Sequence, residues 1–151
     1  MTAHPGRTRL GPTRCLAVRS GIMSDDTSAS EPTLTEYPGH WAAEDPGRPA
    51  IVMAGSGETM AFGELHEQAC RIANLFHSLG LGFGDHIAFC LENRIEFLPL
   101  AWGAHYAGLR YTAVSARLTA DELAYIVDDC GARVFVTSPY KEDVLAEVTA
   151  A

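Results

Sequence analysis

Lysine is almost absent from this chain: Lys141 stands alone against ten arginines. A phosphate-binding lysine therefore has one candidate, and no glycine-rich flank surrounds it. The arginine bias suggests a GC-rich, bacterial coding sequence. No apolar run approaches the roughly 20 residues a membrane-spanning helix needs. The four cysteines (Cys15, Cys70, Cys90, Cys130) show neither C-x-x-C nor His/Cys ligand spacing, so no metal site is expected. They read as reduced thiols of a cytoplasmic protein. Nor is there a strand followed by a glycine loop opening a helix, the arrangement that presents backbone N–H groups to a phosphate.

Acid is in excess. The net charge is −8, yet residues 1–22 carry four arginines and no acid, which leaves the remainder at −12. An acidic body repels nucleic-acid phosphates and anionic lipid, so no nucleic acid and no membrane span is expected. The leader MTAHPGRTRLGPTRCLAVRSGI has too short an apolar stretch for a secretory signal. Its arginines allow a transit-peptide reading, but the arginine bias runs through the whole chain. Met23, which opens the acidic run MSDDTSASEPT, is read as the true start, with the leader as annotation slack or a disordered arm. Residues 1–35 are thus expected to be a disordered leader and tail, and 36–151 one folded unit.

Within that unit a pattern recurs three times: a helix, a glycine stop (Gly80, Gly108, Gly131), then a short apolar strand. The strands are HIAFCL (86–91), LRYTAV (109–114) and ARVFVT (132–137). Alternation of this kind predicts an α/β fold, a partial parallel sheet with alternating helices. Before it, Pro38, Pro46 and Pro49 leave room for a short helix around His40–Glu44, anchored by Trp41. AIVMA (50–54) and ETMAF flank the Gly55-Ser56-Gly57 turn as a hairpin.

The first long helix, about 63–79, places Leu65, Ala69, Ile72, Phe76 and Leu79 on one face. Asn93 with Glu96 predicts a capping-box start for the second, whose body IEFLPLAWGAHYA reads as buried on several sides. Thr119 with Glu122 predicts the same start for the third, and YKEDVLAEVTAA can form a last helix.

Several groups invite a functional reading and have a plainer one beside it. The glycines of Gly80-Leu81-Gly82-Phe83-Gly84-Asp85 follow a helix and lead into a strand, the reverse of a nucleotide loop. His105 reads as a packed or interface residue, and Trp102/Tyr106 as core packing rather than a pocket lining. Asp128-Asp129 end a helix as solvated surface, which weakens a receiver-type or flavodoxin-like reading.

In order and spacing these segments resemble the N-terminal region of the AMP-binding (adenylate-forming) superfamily, specifically its acyl-CoA synthetases, of the fatty-acid–CoA ligase type. The resemblance runs from about Pro46 to Ser138, through PGRPAIV, MAFGELHEQACRIANLFHSLGLGFGDHIAF and LENRIEFLPLAWGAHYAGLRYTAVSARLTADELAYIVDDCGARVFVTS. The chain departs from the family at Ala61, where a threonine cap is usual, and at Ala113 and Ser115, where Pro and Asn are favoured.

The resemblance implies ATP-dependent activation of a carboxylic or fatty acid through an acyl-adenylate, then transfer to CoA, with ATP, Mg and CoA as the family's cofactors. It also implies that the phosphate loop, ribose-binding Asp and catalytic Lys of the family lie beyond the matched stretch. The expectation is therefore a truncated synthetase, an incomplete AMP-binding N-terminal α/β domain over 36–151. It is expected to be inactive alone, with no catalytic, cofactor-binding or metal residue of its own. The alternative is a stand-alone α/β interaction module that complements or regulates a separately encoded ligase. Its partner would be the missing remainder of the ligase or a homologue.

Overall fold

The computed structural model describes residues 37–139; the leader, the tail to Glu36 and the segment YKEDVLAEVTAA lie outside the described residues. The described residues begin with a helix of about two turns, α1 (Pro38–Glu44), which starts on a proline at its first position, where the missing N–H costs nothing. Trp41 lies against Phe62, and the Arg48 guanidinium sits over the indole at 4.7 Å. Strands β1 (Pro49–Val52) and β2 (Thr59–Ala61) then pair antiparallel as the expected hairpin.

The long helix α2 (Phe62–Ser78) leads into β3 (His86–Cys90). After it come α3 (Phe97–Tyr106), β4 (Arg110–Val114), α4 (Ala120–Asp129) and β5 (Val134–Thr137). The three later strands form a parallel sheet in the order β4-β3-β5. The chain steps from β3 out to β4, then back past β3 to β5. Two right-handed crossovers in opposite directions must place their helices on opposite faces.

The side chains follow that geometry. Ile87 and Phe89 pack with Leu100, Ala101 and Ala104 of α3 and with Ala73 and Phe76 of α2. Cys90, one step out of phase, packs with Val114 and with Leu123 of α4, alongside Phe135 and Ile126. Burial on both faces explains why β3 reads as an unbroken apolar run.

Helices α2 and α3 meet closely at Gly103. A Cβ there would lie 2.5 Å from Ile72 Cγ2 and 3.2 Å from the Ala69 carbonyl oxygen. Gly80, with φ of +78°, ends α2 from the left-handed region as a residue past the cap.

Some sequence expectations change in detail. Leu79, the residue flanking the end of α2, is 56% exposed, while Phe76 before it and Leu81 after it are buried; Cys70 and Ala73 are buried in the helix as well. Asn93 does not cap α3. The helix starts four residues later with Glu96 as its flanking residue, and no side chain caps it. The Glu96 carboxylate is bonded by Arg94 Nε at 2.8 Å, so it is not available to close a capping box. The ion pair holds it below the usual carboxylate range.

The box on α4 forms as expected, with Thr119 Oγ1 accepting from the Glu122 N–H at 3.4 Å and Glu122 Oε2 accepting from the Thr119 N–H at 2.9 Å. On α2 only the returning arm exists: Glu64 Oε2 accepts from the Ala61 N–H at 3.0 Å, while the alanine offers no acceptor. After β4, Ser115 forms its own turn, its Oγ accepting from the Arg117 N–H at 3.3 Å.

Candidate functional site

In an open α/β sheet, ligands favour the carboxyl ends of the strands, at the crevice where strand order reverses. Here that crevice lies between β3 and β5. The residues leaving these strands close it. Ser138 Oγ donates to Glu92 Oε1 at 2.6 Å, and Thr137 Oγ1 donates to the Cys90 carbonyl at 3.0 Å. Ser138 is 4% exposed, so a substrate cannot reach its hydroxyl. A buried serine donating to a half-buried carboxylate ties two strands together; it is not an activated nucleophile, which must be accessible and paired with a base.

Two clefts open on either side of Glu92. One, about 570 Å³, lies toward β4 and is lined by Leu91, Phe97, Val114 and Ala116 with Asn93, Ser115 and Arg117 at its rim. The other, about 360 Å³, faces the β1–β2 turn and is lined by Met53, Ser56 and Glu58 with residues 92–96. The first has apolar walls with a few polar groups, whereas the second is mostly polar, with three carboxylates, Glu58, Glu92 and Glu96, in its lining. No group of three or more His, Cys, Asp or Glu residues is arranged to hold a metal among the described residues.

The glycine loop lies at the opposite, amino end of the sheet, and its donors are engaged locally. Gly82 N–H donates to Asp85 Oδ2 at 2.8 Å, and Gly84 N–H to the Gly108 carbonyl at 2.8 Å. The Gly82 N–H holds the Asp85 carboxyl below its ordinary range, helped by the Arg133 guanidinium that pairs with it. The Arg110 guanidinium caps the Gly84 carbonyl, with Nη2 at 2.8 Å. The Gly82 and Gly84 N–H groups are therefore not open to a phosphate.

His105 is exposed, its ring beside Trp102 and Tyr111 at 5.5 and 5.3 Å. Tyr106 does more than pack, since its hydroxyl reaches α1 and α2. Asp128 and Asp129 are exposed at the end of α4. The Glu92–Ser138 tie escaped the sequence reading. Its one signal was that an acid and a hydroxyl each follow directly on an apolar strand.

The family model for AMP-binding enzymes matches residues 39–151. The chain belongs to the AMP-binding enzyme family. An uncharacterised protein of Mycobacterium tuberculosis H37Rv is 32% identical over 130 residues, 86% of this chain and 73% of that protein. The crotonobetaine/carnitine–CoA ligase of Proteus mirabilis is 37% identical over 84 residues, 56% of this chain but 16% of the ligase.

Among solved structures, the inhibitor-bound N-terminal domain of FACL13 from M. tuberculosis superposes with a TM-score of 0.70 at 26% identity, covering 76% of this chain and 29% of that one. The chain therefore corresponds to an N-terminal portion of acyl-CoA synthetases, and spans less than a third of the ligases it matches. The fold agrees with the parallel α/β sheet read from the sequence.

Proposed function

We propose that residues 36–151 form a wall of an acyl-CoA ligase large domain and do not activate a carboxylate by themselves. The observation that carries this is the state of the sheet's two ends. The crevice at the carboxyl end is closed by Glu92 and Ser138, and the Gly82 and Gly84 N–H groups at the amino end are already bonded, to Asp85 and to the Gly108 carbonyl. Adenylyl transfer from ATP needs positioned donors and cations around the phosphates. The described residues contain no lysine, and of their six arginines Arg48, Arg71, Arg94, Arg110 and Arg133 are engaged with Trp41, Glu67, Glu96, the Gly84 carbonyl and Asp85, which leaves Arg117 at the cleft beside β4. A single guanidinium with no lysine beside it falls short of the donors and cations that an ATP–Mg or CoA site needs, so no step of the family reaction is assigned to these residues.

A pyrophosphate-exchange assay on the purified chain, with ATP, Mg and a panel of short- to long-chain carboxylic acids, should give only background. Carboxylate-dependent exchange would overturn the reading.

A second reading has its own support. The M. tuberculosis relative of which this chain covers 73% is itself far shorter than the ligases, so this portion of the fold recurs in short proteins. In that reading the chain is an interaction module whose partner is the remainder of a ligase or a full-length homologue. Stable co-purification with a polypeptide of that family, against a monodisperse and inert monomer, separates the two. We place the chain in the bacterial cytoplasm, a reading supported by the cysteine spacing and arginine bias of the sequence.

A further inference from the structure

We propose that the exposed face of α4 is a seat for the chain's own arginine-rich leader, residues 1–22. Tyr125 stands three or four residues from each of Asp121, Glu122, Asp128 and Asp129, a spacing that puts all five on one face of the helix. All five are exposed, and Tyr125 is 69% exposed although its ring is largely apolar. The other face of α4 is the one that packs, through Leu123 and Val127. Beside Tyr125 lies an apolar groove of about 480 Å³, walled by Leu118, Tyr125 and Ile126 with Asp121 and Glu122 at its edge.

No cation among the described residues answers these charges. Helix α4 contains no basic residue, and none of its four acids is in an ion pair among the described residues. Glu122 uses Oε2 in the Thr119 cap, which leaves Oε1 to accept. Arg117, before the cap, lies at the separate cleft beside β4.

The charge of the face selects its occupant. A second copy of α4 would set four carboxylates against four. The segment 140–151 carries Glu142, Asp143 and Glu147 against Lys141 alone, so it too is repelled. Residues 1–22 carry Arg7, Arg9, Arg14 and Arg19 and no acid. Arg14 and Arg19 bracket the apolar run Cys15-Leu16-Ala17-Val18, so cations around an apolar centre meet carboxylates around an apolar centre. Arginine suits this face, because guanidinium bonds a carboxylate through two N–H groups and stacks on an aromatic ring. The residues from Arg19 to Tyr37 can span roughly 60 Å, and half the circumference of a domain of this size is roughly 50 Å. Tethering then lets weak contacts suffice. The proposal takes residues 1–22 as part of the protein rather than as slack before Met23.

The test gives the leader a coupling handle. In the full chain, Arg19→Lys adds an amine that a carbodiimide joins to a touching carboxylate, and Lys141 is the chain's other lysine. At about 20 mM NaCl, mass-spectrometric mapping should join residue 19 to Asp121, Glu122, Asp128 or Asp129 of the same chain, and about 0.5 M NaCl should suppress the product. Asp128→Asn with Asp129→Asn should lower the yield at Asp121 about fivefold. In the unsubstituted chain, Tyr125 ring-proton shifts at low salt should differ from those of Arg14→Gln/Arg19→Gln, and high salt should remove the difference. Crosslinks confined to Asp25, Asp26, Glu31 and Glu36, spread evenly onto exposed acids such as Glu44 and Glu67, or formed only between two chains would each overturn the seat. So would Tyr125 shifts indifferent to the leader arginines.

Discussion

At the amino ends of the parallel strands, Asp85 of the glycine loop receives the Gly82 N–H and pairs with Arg133, which lies just before β5. Arg110 reaches back from β4 to the Gly84 carbonyl. At the carboxyl ends Ser138 bonds Glu92 and Thr137 bonds the Cys90 carbonyl, with clefts on both sides of Glu92. The amino end is laced by several exposed charges, whereas the carboxyl end is tied by part-buried hydroxyl bonds between open clefts. Exposed ion pairs contribute little each, while a buried charge-assisted hydrogen bond contributes more. The end with more bonds should therefore be the less sensitive to their loss. It is also the end where the glycines sit, which is why those glycines are turns and not a phosphate cradle.

Substitutions can break or sharpen this comparison. The largest loss is expected between the two ends, where α2 and α3 touch. Gly103→Val drives a side chain into Ile72 and the Ala69 carbonyl, and should cost about 3 kcal/mol in urea unfolding, disturbing both ends alike. At the carboxyl end, Ser138→Ala removes the hydroxyl that Glu92 accepts and should cost about 2 kcal/mol, read as a drop in melting temperature. Thr119→Ala, on the helix that leaves the carboxyl end of β4, should cost about 1 kcal/mol through loss of the α4 cap.

The smallest effect is expected at the amino end. Asp85→Asn should lower stability at pH 7 by less than any of these. Because the Asp85 pKa is depressed in the folded chain, its contribution is present above the unfolded value and lost as pH falls through the acid range. The difference between wild type and Asp85→Asn should therefore shrink from pH 7 to pH 3. A difference at pH 7 larger than that of Ser138→Ala would reverse the ranking of the two ends.

Much of this architecture was legible in the sequence because it is local. Helix stops at Gly80, Gly108 and Gly131, the Thr119–Glu122 box and the apolar run of β3 are patterns within a few residues. The misplaced start of α3 was also local, but two local rules competed there. Asn93 with Glu96 satisfies the capping pattern, and Arg94 captures the same carboxylate. The contacts that define the candidate site and hold α1 on the α2–α3 pair were not legible. Glu92 meets Ser138 across 46 residues, and Gly39 meets Tyr106 across 67. Only the order β4-β3-β5 brings the first pair together, and only the α2–α3 packing presents Tyr106 to α1.

The central claim is that the glycine-bearing end is locked and this portion of the ligase fold holds no nucleotide. An amide-shift titration with ATP and Mg tests it residue by residue. The account predicts no saturable shifts at Gly82, Gly84 or Asp85, nor at the cleft residues Asn93 and Arg117. Saturable, Mg-dependent shifts centred on the glycine loop would contradict it.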